Sequence, residues 1–225
     1  LADIHEHAVS CSPEAVRRPP EGSCIMRLGL LADIHEHVEQ LEWAIATLRA
    51  QDVDRFVMLG DVYEMGGRIE ETVALLSKLD TLGVWGNHDF GLCRDVCESV
   101  RARYSSEVLA YFASLAPYVE YEDCRFQHIE HHLDPTILED LWSFEEHLGV
   151  DAALGFAAHP HHRLFIGHFH RWEVHEPEGK VSWDGRSPIS LRPDRRALVA
   201  VRAVCDGSCA LYETESAVLV PYAMT

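Results

Sequence analysis

Four short apolar runs recur along the chain, and a polar residue or a glycine follows each of them. The runs cover residues 28–32, 56–59, 82–85 and 164–166. Short apolar segments that stop in this way are typical of buried strands. The carboxyl ends of such strands open onto ligand sites in α/β proteins. We therefore expect the polar residues that follow the four runs to lie close together.

Amphipathic segments lie between and after these runs. Apolar side chains at Val38, Leu41, Ile45 and Leu48 fall on one helical face, which predicts a helix over 38–48. Further helices are predicted over 69–76, 98–115 and 137–148, and a strand pair over 118–129 that turns at 122–123. After His170 the pattern predicts strands, with turns at 178–179, 184–185 and 206–207. The alternation of strand and helix from 26 to 86 predicts an α/β fold with a parallel core.

The composition is that of one acidic globular domain. With 225 residues the chain can bury one sizeable core. Its formal net charge of -18 argues against nucleic acid as a partner. No apolar run is long enough to span a bilayer and no secretory signal is visible, so we expect a cytoplasmic protein without a membrane partner.

The sequence contains seven cysteines, an odd count that favours reduced thiols over disulfides where no signal is visible. Cys93 and Cys97 would share a face of a helix, and Cys205 and Cys209 flank a turn. A zinc site built from these four lacks the usual spacing. We interpret them as ordinary small apolar residues.

A heptapeptide occurs twice near the beginning of the sequence. Residues 1–7 and 31–37 both read LADIHEH. Only the second copy has an apolar strand before it and an amphipathic helix after it. The first copy is followed by a segment that reads as irregular. We therefore predict an irregular extension over 1–25, a functional domain over 26–225, and the site in the second copy.

Five polar motifs supply side chains that bind hard divalent metals. They are Asp33-Ile34-His35, Gly60-Asp61, Gly86-Asn87-His88-Asp89, His128 and Gly167-His168-Phe169-His170. In content and order they resemble the calcineurin-like metallophosphoesterase family, from Met26 to about His170. One such triplet would be weak evidence, but five motifs in order are strong evidence. The resemblance implies two mixed sheets packed face to face, helices outside them, and two divalent metal ions.

The resemblance also assigns a role to each polar side chain. Asp61 would bridge two ions of Mn, Fe or Zn. Asp33, His35 and His170 would complete the first metal site, and Asn87, His128 and His168 the second. A hydroxide shared by the two ions would attack phosphorus in line. His88 would not bind metal but would donate a proton to the leaving group as a general acid.

Some positions depart from the family pattern. His128 is followed by Ile129 where the family usually has glycine, and His131 is an alternative ligand. The Gly60-Asp61 motif lacks the Asp-Arg-Gly ending of the Ser/Thr protein phosphatases. A GNHD motif in place of GNHE also points away from that branch. The chain looks closer to the compact bacterial-type phosphodiesterases.

These features predict a dinuclear metal-dependent phosphoesterase. A phosphodiester or another phosphorylated small molecule is the expected substrate, since bound metals reverse the local field of an acidic surface. One alternative is a phosphomonoesterase that acts on a small metabolite, a nucleotide or a phosphoprotein. An alternative of another class is a metal-binding interaction scaffold without catalysis. The general acid discriminates between enzyme and scaffold, because a scaffold has no need of it.

Overall fold

The computed structural model describes residues 26–143 and 150–225, and its core is a pair of six-stranded mixed sheets that pack face to face. The strands are β1 Arg27–Leu31, β2 Arg55–Leu59, β3 Thr81–Val84, β4 Tyr118–Tyr121, β5 Cys124–Gln127, β6 Arg163–Ile166, β7 Glu173–Glu176, β8 Gly179–Lys180, β9 Ile189–Ser190, β10 Ala197–Ala200, β11 Ser208–Glu213 and β12 Val218–Ala223. The helices are α1 Val38–Arg49, α2 Ile69–Leu76, α3 Phe90–Cys93, α4 Glu98–Arg101, α5 Ser106–Ala113, α6 Leu138–Leu141 and α7 Ala152–Ala158. The predicted α/β sandwich is therefore confirmed.

Each sheet has parallel strands at its centre. The first sheet runs in the order β3-β2-β1-β11-β12-β9, and β1, β2 and β3 are parallel to one another. Strand β1 also pairs antiparallel with β11, where Arg27 faces Glu213. The second sheet runs in the order β4-β5-β6-β10-β7-β8, with β5, β6 and β10 parallel. The carboxyl ends of the parallel strands therefore carry the loops that contain the polar motifs.

Alternation along the strands divides the apolar side chains between two layers. Leu28 and Leu30 of β1 point into the core between the sheets, together with Phe126 and Phe165. The rings of Phe126 and Phe165 stack there with centroids 5.1 Å apart. Leu31 of β1 belongs instead to the outer layer, under the helices. Successive strand residues point to opposite faces, so both faces of the first sheet are covered.

Helices α1 and α2 cover the outer face of the first sheet. In α1 the predicted residues Val38, Leu41, Ile45 and Leu48 are all buried. They pack in the same cluster as Met58 of β2. Helix α2 begins and ends where the sequence predicts. Among the described residues, no helix combines the length and the apolar character needed to cross a bilayer.

Two predicted helices differ from the structure. The segment 98–115 forms two helices rather than one, because Ser105 has extended backbone and its hydroxyl accepts a hydrogen bond from the backbone N–H of Val108 at 3.2 Å. Serine is a strong N-cap, so this contact begins α5 and separates it from α4. In the described part of the segment 137–148, α6 is the helical portion, and residues 144–148 of the prediction lie outside the described residues.

The predicted strand pair at 118–129 is confirmed as β4 and β5, with the turn at 122–123. The strands predicted after His170 are confirmed as β7–β12.

Cys93 ends α3 and Cys97 precedes α4, so the expectation that they share a helix face is wrong. All five cysteines in the described part of the chain are free thiols. The predicted extension over 1–25 lies outside the described residues.

Candidate metal centre

All seven predicted ligands lie in loops that leave the carboxyl ends of parallel strands. Asp33 and His35 follow β1, Asp61 follows β2, Asn87 follows β3, His128 follows β5, and His168 and His170 follow β6. The first three of these strands belong to one sheet and the last two belong to the other. The loops meet where the two sheets open at a shared edge, so the site requires both sheets.

Hydrogen bonds join these loops to one another. The backbone N–H of His35 donates to the carbonyl oxygen of Asp61 at 2.9 Å. Between the sheets, the backbone N–H of His168 donates to both carboxylate oxygens of Asp33, at 3.0 and 3.1 Å. The imidazole Nδ1–H of His128 donates to the carbonyl oxygen of Leu59 at 2.7 Å. These bonds fix the relative positions of loops that are far apart in sequence.

The ligand loops have unusual backbone conformations. The φ angle is 51° at Asp33, 47° at His35, 54° at Asp61, 69° at His168 and 50° at His170. Left-handed conformations at residues other than glycine cost of order 1–3 kcal/mol each and cluster at functional sites. Aspartate and histidine tolerate them better than bulky residues do. This concentration of strain in five predicted ligands is typical of a functional centre.

Two glycines allow the loops to approach closely. A Cβ atom at Gly86 would lie 2.1 Å from Oδ1 of Asp61. At Gly60 a Cβ atom would lie 2.5 Å from Nδ1 of His128, and φ is +91°. No other residue fits either position without moving a ligand side chain, which explains the glycines that precede Asp61 and Asn87.

The geometry of Asp61, Asn87, His128 and His168 suits a bound cation. Because Nδ1 of His128 donates to a carbonyl oxygen, Nε2 faces the site, with a proton while the ring is charged and with a lone pair once that proton is lost. This Nε2 atom lies 3.0 Å from Oδ1 of Asn87 and 3.3 Å from Oδ2 of Asp61. Nδ1 of His168 lies 3.1 Å from the same amide oxygen. Acceptor atoms this close repel one another unless a proton or a metal ion lies among them.

A second group of ligand atoms lies beside the first. One ligand atom from each of Asp33, His35 and His170 lies within 4.8 Å of the others, as is also true of Asp61, His128 and His168. Nε2 of His35 lies 3.7 Å from Oδ2 of Asp61, so Asp61 borders both groups. The structure thus brings together the two predicted ligand sets with the shared carboxylate between them. Metal binding by these residues stays a prediction.

The pKa values within the site indicate which imidazole ring carries a proton that a metal ion would displace. Burial favours the neutral ring of His128, but the Asp61 carboxylate outweighs it and raises the pKa of His128 to about 9. Burial acts against ionisation of Asp61 as well, yet His128 and the nearby imidazoles lower its pKa. Burial, with the charge of His128, lowers the pKa of His168 to about 3. Metal binding must therefore release a proton from His128, and the affinity should fall as the pH falls.

His88 lies at the edge of this cluster and outside the two predicted ligand sets, with one of its ring nitrogens within 4.8 Å of ligand atoms of His35 and Glu64. Its backbone N–H donates to Oδ1 of Asp61 at 3.0 Å. Its Nδ1 lies 3.5 Å from Oε2 of Glu64, which is also 3.2 Å from Nδ1 of His35. Its ring centroid is 5.3 Å from that of Trp142. With Nδ1 directed at a carboxylate, Nε2 is the nitrogen available to a substrate.

The alternative ligand His131 lies elsewhere. Its side chain is buried beside His159, with ring centroids 5.8 Å apart, and Nε2 of His159 donates to the carbonyl oxygen of His131 at 2.9 Å. Burial and the nearby Arg125 hold the pKa of His131 well below its usual range. The geometry therefore favours His128 as the ligand from this loop.

A cleft of about 360 Å³ opens over the cluster, and sequence reasoning missed three residues that line it. These are Glu64, Trp142 and Cys205. Sγ of Cys205 lies 3.7 Å from Nδ1 of His170. Glu64 had a usable signal, since an acidic side chain three residues after a metal-binding aspartate can fold back over it. Trp142 and Cys205 lie far from the motifs in sequence and had no such signal.

Asp89 ties two of the ligand loops together. Its fully buried carboxylate accepts hydrogen bonds from the backbone N–H groups of Val62 at 3.0 Å, Tyr63 at 2.9 Å and Gly86 at 2.9 Å. These donors lie in the loops that carry Asp61 and Asn87. Asp89 therefore holds the two loops in position through their backbone N–H groups.

Replacing Asp89 by alanine should destabilise the protein by about 3 kcal/mol, because each buried donor left without a partner costs about 1–3 kcal/mol. Urea unfolding of the metal-free protein measures this loss. The exposed Asp194 offers a matched control, and Asp194→Ala should leave the unfolding midpoint unchanged. Equal midpoints for the two variants would show that the Asp89 hydrogen bonds contribute little.

Two six-stranded sheets around a shared cluster of carboxylate and imidazole ligands define a metallophosphoesterase. Residues 26–183 match the model of the calcineurin-like phosphoesterase superfamily domain, so the chain belongs to that superfamily and is a metal-dependent phosphoric ester hydrolase. A protein of Methanocaldococcus jannaschii is 24% identical over 184 residues, which cover 76% of this chain and 73% of that protein.

Solved structures show the same fold. The crystal structure of a metallophosphoesterase from Sphaerobacter thermophilus is similar with a TM-score of 0.70 and 19% identity, over 90% of this chain and 89% of that one. An archaeal phosphodiesterase is similar with a TM-score of 0.53 and 14% identity, over 88% of this chain and 100% of that one. These similarities support the two-sheet fold that the family resemblance implies.

The two copies of the heptapeptide can be separated by mutation. Removal of residues 1–25 should leave activity unchanged, and so should Asp3→Ala combined with His5→Ala. Asp33→Ala or His35→Ala should abolish activity, since these residues follow β1 and His35 lies beside Asp61. Phosphoesterase assays on the four proteins give the answer. Inactivation by the change at residues 3 and 5 would place the site in the first copy instead.

Proposed function

We propose that this enzyme hydrolyses phosphodiesters with two divalent metal ions. Asp33, His35 and His170 would hold one ion, and Asn87, His128 and His168 the other, with Asp61 between them. Such a pair of ions supplies an activated water molecule and offsets charge on the phosphoryl oxygens. Ligands that are all nitrogen and oxygen suit Mn, Fe or Zn.

The charges of the residues that line the cleft favour diesters over monoesters as substrates. Of the described residues that line it, none is a lysine or an arginine, and two are the acidic Asp61 and Glu64. A phosphate monoester carries a charge of about -1.5 to -2 at neutral pH. A diester carries a single negative charge and so needs less compensation. The cleft therefore suits the less charged substrate.

His88 would supply the proton for the leaving group. Oε2 of Glu64 lies 3.5 Å from Nδ1 and would stabilise the charged imidazolium ring, in which Nε2 also carries a proton that can be donated to the departing oxygen. Without that proton an alkoxide would have to leave as a strong base, so a positioned acid lowers the barrier. Trp142 is 49% exposed, and its ring lies 5.3 Å from that of His88, so it would cover one side of the proton donor.

A metal-supplemented activity panel tests the proposal. The purified protein, loaded with Mn, Fe or Zn, should hydrolyse bis-p-nitrophenyl phosphate with a higher kcat/KM than p-nitrophenyl phosphate, and cyclic nucleotides complete the panel. A chelator should abolish all of these activities. Preference for p-nitrophenyl phosphate would indicate a monoesterase, and no hydrolysis with any metal would indicate a scaffold.

A further inference from the structure

A second cavity lies beside the metal cleft and shares His88 with it. The cavity has a volume of about 290 Å³, at the small end of the range for ligand pockets. It lies between the loop that follows β2 and the segment that contains α3 and α4. His88 lines both spaces, so a group bound in the cavity would lie next to the proposed proton donor.

The walls of this cavity are aromatic and apolar. Tyr63 and Tyr104 meet edge to face, with ring centroids 6.0 Å apart and hydroxyl oxygens 2.8 Å apart. Leu92 and Val100 complete the apolar part of the lining. Tyr63 is held by its backbone N–H, which donates to the buried carboxylate of Asp89 at 2.9 Å. The aromatic wall is therefore fixed relative to the metal centre.

Two polar residues, Arg103 and Ser99, also line the cavity. The Arg103 guanidinium lies 5.4 Å from the centre of the Tyr104 ring, and the Ser99 hydroxyl lies 3.1 Å from Sγ of Cys97. Gly91 leaves one side open, since a Cβ atom there would meet no atom within 4 Å. A flat ring with acceptor atoms at its edge would satisfy both the apolar walls and these donors.

We propose that this cavity is the leaving-group subsite and that it binds the base of a nucleoside. The inference rests on the proposed function, because it takes His88 as the proton donor. In hydrolysis, the bond from phosphorus to the nucleoside oxygen breaks and the proton of His88 moves to that oxygen. Water adds to phosphorus as hydroxide, and its other proton passes through solvent to restore the proton on His88. The nucleoside alcohol therefore leaves on the side where His88 meets the cavity.

Other leaving groups use the cavity less completely. An alkyl alcohol would contact Leu92 and Val100 but would leave Arg103 and Ser99 without a function. An acidic peptide would pair with Arg103 but would gain little from two tyrosine rings. Aromatic side chains stack on every base, since each base has a π-face. A nucleoside combines the ring and the acceptors.

Three variants that each introduce leucine test the subsite. Gly91→Leu fills the cavity from its open side. Tyr104→Leu removes one aromatic ring while it keeps an apolar side chain against the core. Glu98→Leu is the control, because Glu98 is exposed on α4 and does not line the cavity. The metal-loaded parent and the three variants are compared on two diesters with unactivated alcohols: a dinucleoside monophosphate and glycerophosphoethanolamine.

The expected result is a selective loss. Gly91→Leu and Tyr104→Leu should lower kcat/KM for the dinucleoside monophosphate by about 5- to 150-fold, the loss that follows removal of an aromatic side chain from a base. Both should lose much less of the parent's rate on glycerophosphoethanolamine, whose small leaving group makes few contacts in the cavity, and the activity that remains also shows that they fold. Glu98→Leu should match the parent on both substrates. Adenosine should inhibit the parent competitively and should inhibit Gly91→Leu much less.

The outcomes separate this inference from the proposed function. If the parent hydrolyses bis-p-nitrophenyl phosphate but the three variants behave alike on the dinucleoside substrate, the nucleoside subsite is wrong and the diesterase proposal stands. An equal loss on both diesters would also overturn the subsite, since it would show a general defect. If the metal-loaded parent hydrolyses no diester, the proposed function fails and the leaving-group assignment fails with it.

Discussion

Asp61→Asn is expected to lose both metal ions and more than about 100-fold of the activity, which is the upper range for residues that merely support ligands. The carboxylate borders both ligand groups, at 3.3 Å from Nε2 of His128 and 3.7 Å from Nε2 of His35. An amide keeps the shape but removes the negative charge that two cations would share. Elemental analysis after reconstitution should find about two ions per chain in the parent and far fewer in the variant.

The substitution isolates charge from backbone effects. Asparagine tolerates the left-handed conformation at this position, where φ is 54°, as well as aspartate does. Asp52→Asn is the matched control, since Asp52 is exposed, lies outside the cleft and has φ of 52°. It should keep full metal content and activity. Two bound ions in Asp61→Asn, or none in the reconstituted parent, would contradict the shared carboxylate.

His88→Asn should keep both metal ions and lose turnover by roughly 10²–10⁴-fold, the usual contribution of a positioned acid. The side chain lies outside both ligand groups, so metal content should not change. The loss should be larger for an alkyl diester than for bis-p-nitrophenyl phosphate, because p-nitrophenolate leaves with little help from a proton. Steady-state rates on both substrates, with elemental analysis of each protein, measure this difference.

His132→Asn is the control for this experiment, since His132 is exposed and does not line the cleft. It should behave as the parent does. An equal loss on both substrates, or loss of metal with activity, would give His88 a structural role. Parental activity in His88→Asn would show that His88 is not the general acid. A metal-loaded parent without phosphoesterase activity would instead favour the scaffold interpretation.

Most of the strands and helices could be predicted from apolar periodicity, whereas the packing of two sheets was implied by the family resemblance. Strands such as β1 and helices such as α1 bury a regular set of side chains, and burial determines where they form. The break between α4 and α5 could not be predicted in this way, because the apolar spacing continues across it. One side-chain hydrogen bond at Ser105 decides that boundary. Local capping competes with periodicity where a segment is only partly buried.

The candidate site could be predicted as far as short motifs reach. The predicted ligands follow strand ends, and the parallel strands of each sheet have their carboxyl ends at the same edge. Ligands that are far apart in sequence therefore lie close together in space. The choice of His128 over His131 followed from the end of β5 at Gln127. Trp142 and Cys205 were missed because their positions depend on how loops fold after the strands end, which no periodic pattern encodes. Glu64 was missed although it lies only three residues after Asp61.

The pairing of β1 with β11 has a consequence for biosynthesis. Arg27 and Glu213 are 186 residues apart in sequence, yet the central strand of the first sheet is incomplete until they meet. At about 5–20 residues per second, a ribosome needs roughly 10 to 40 seconds to translate that stretch. During this time the nascent chain carries an unpaired apolar edge. An unpaired strand edge of this kind is a site where a growing chain can aggregate.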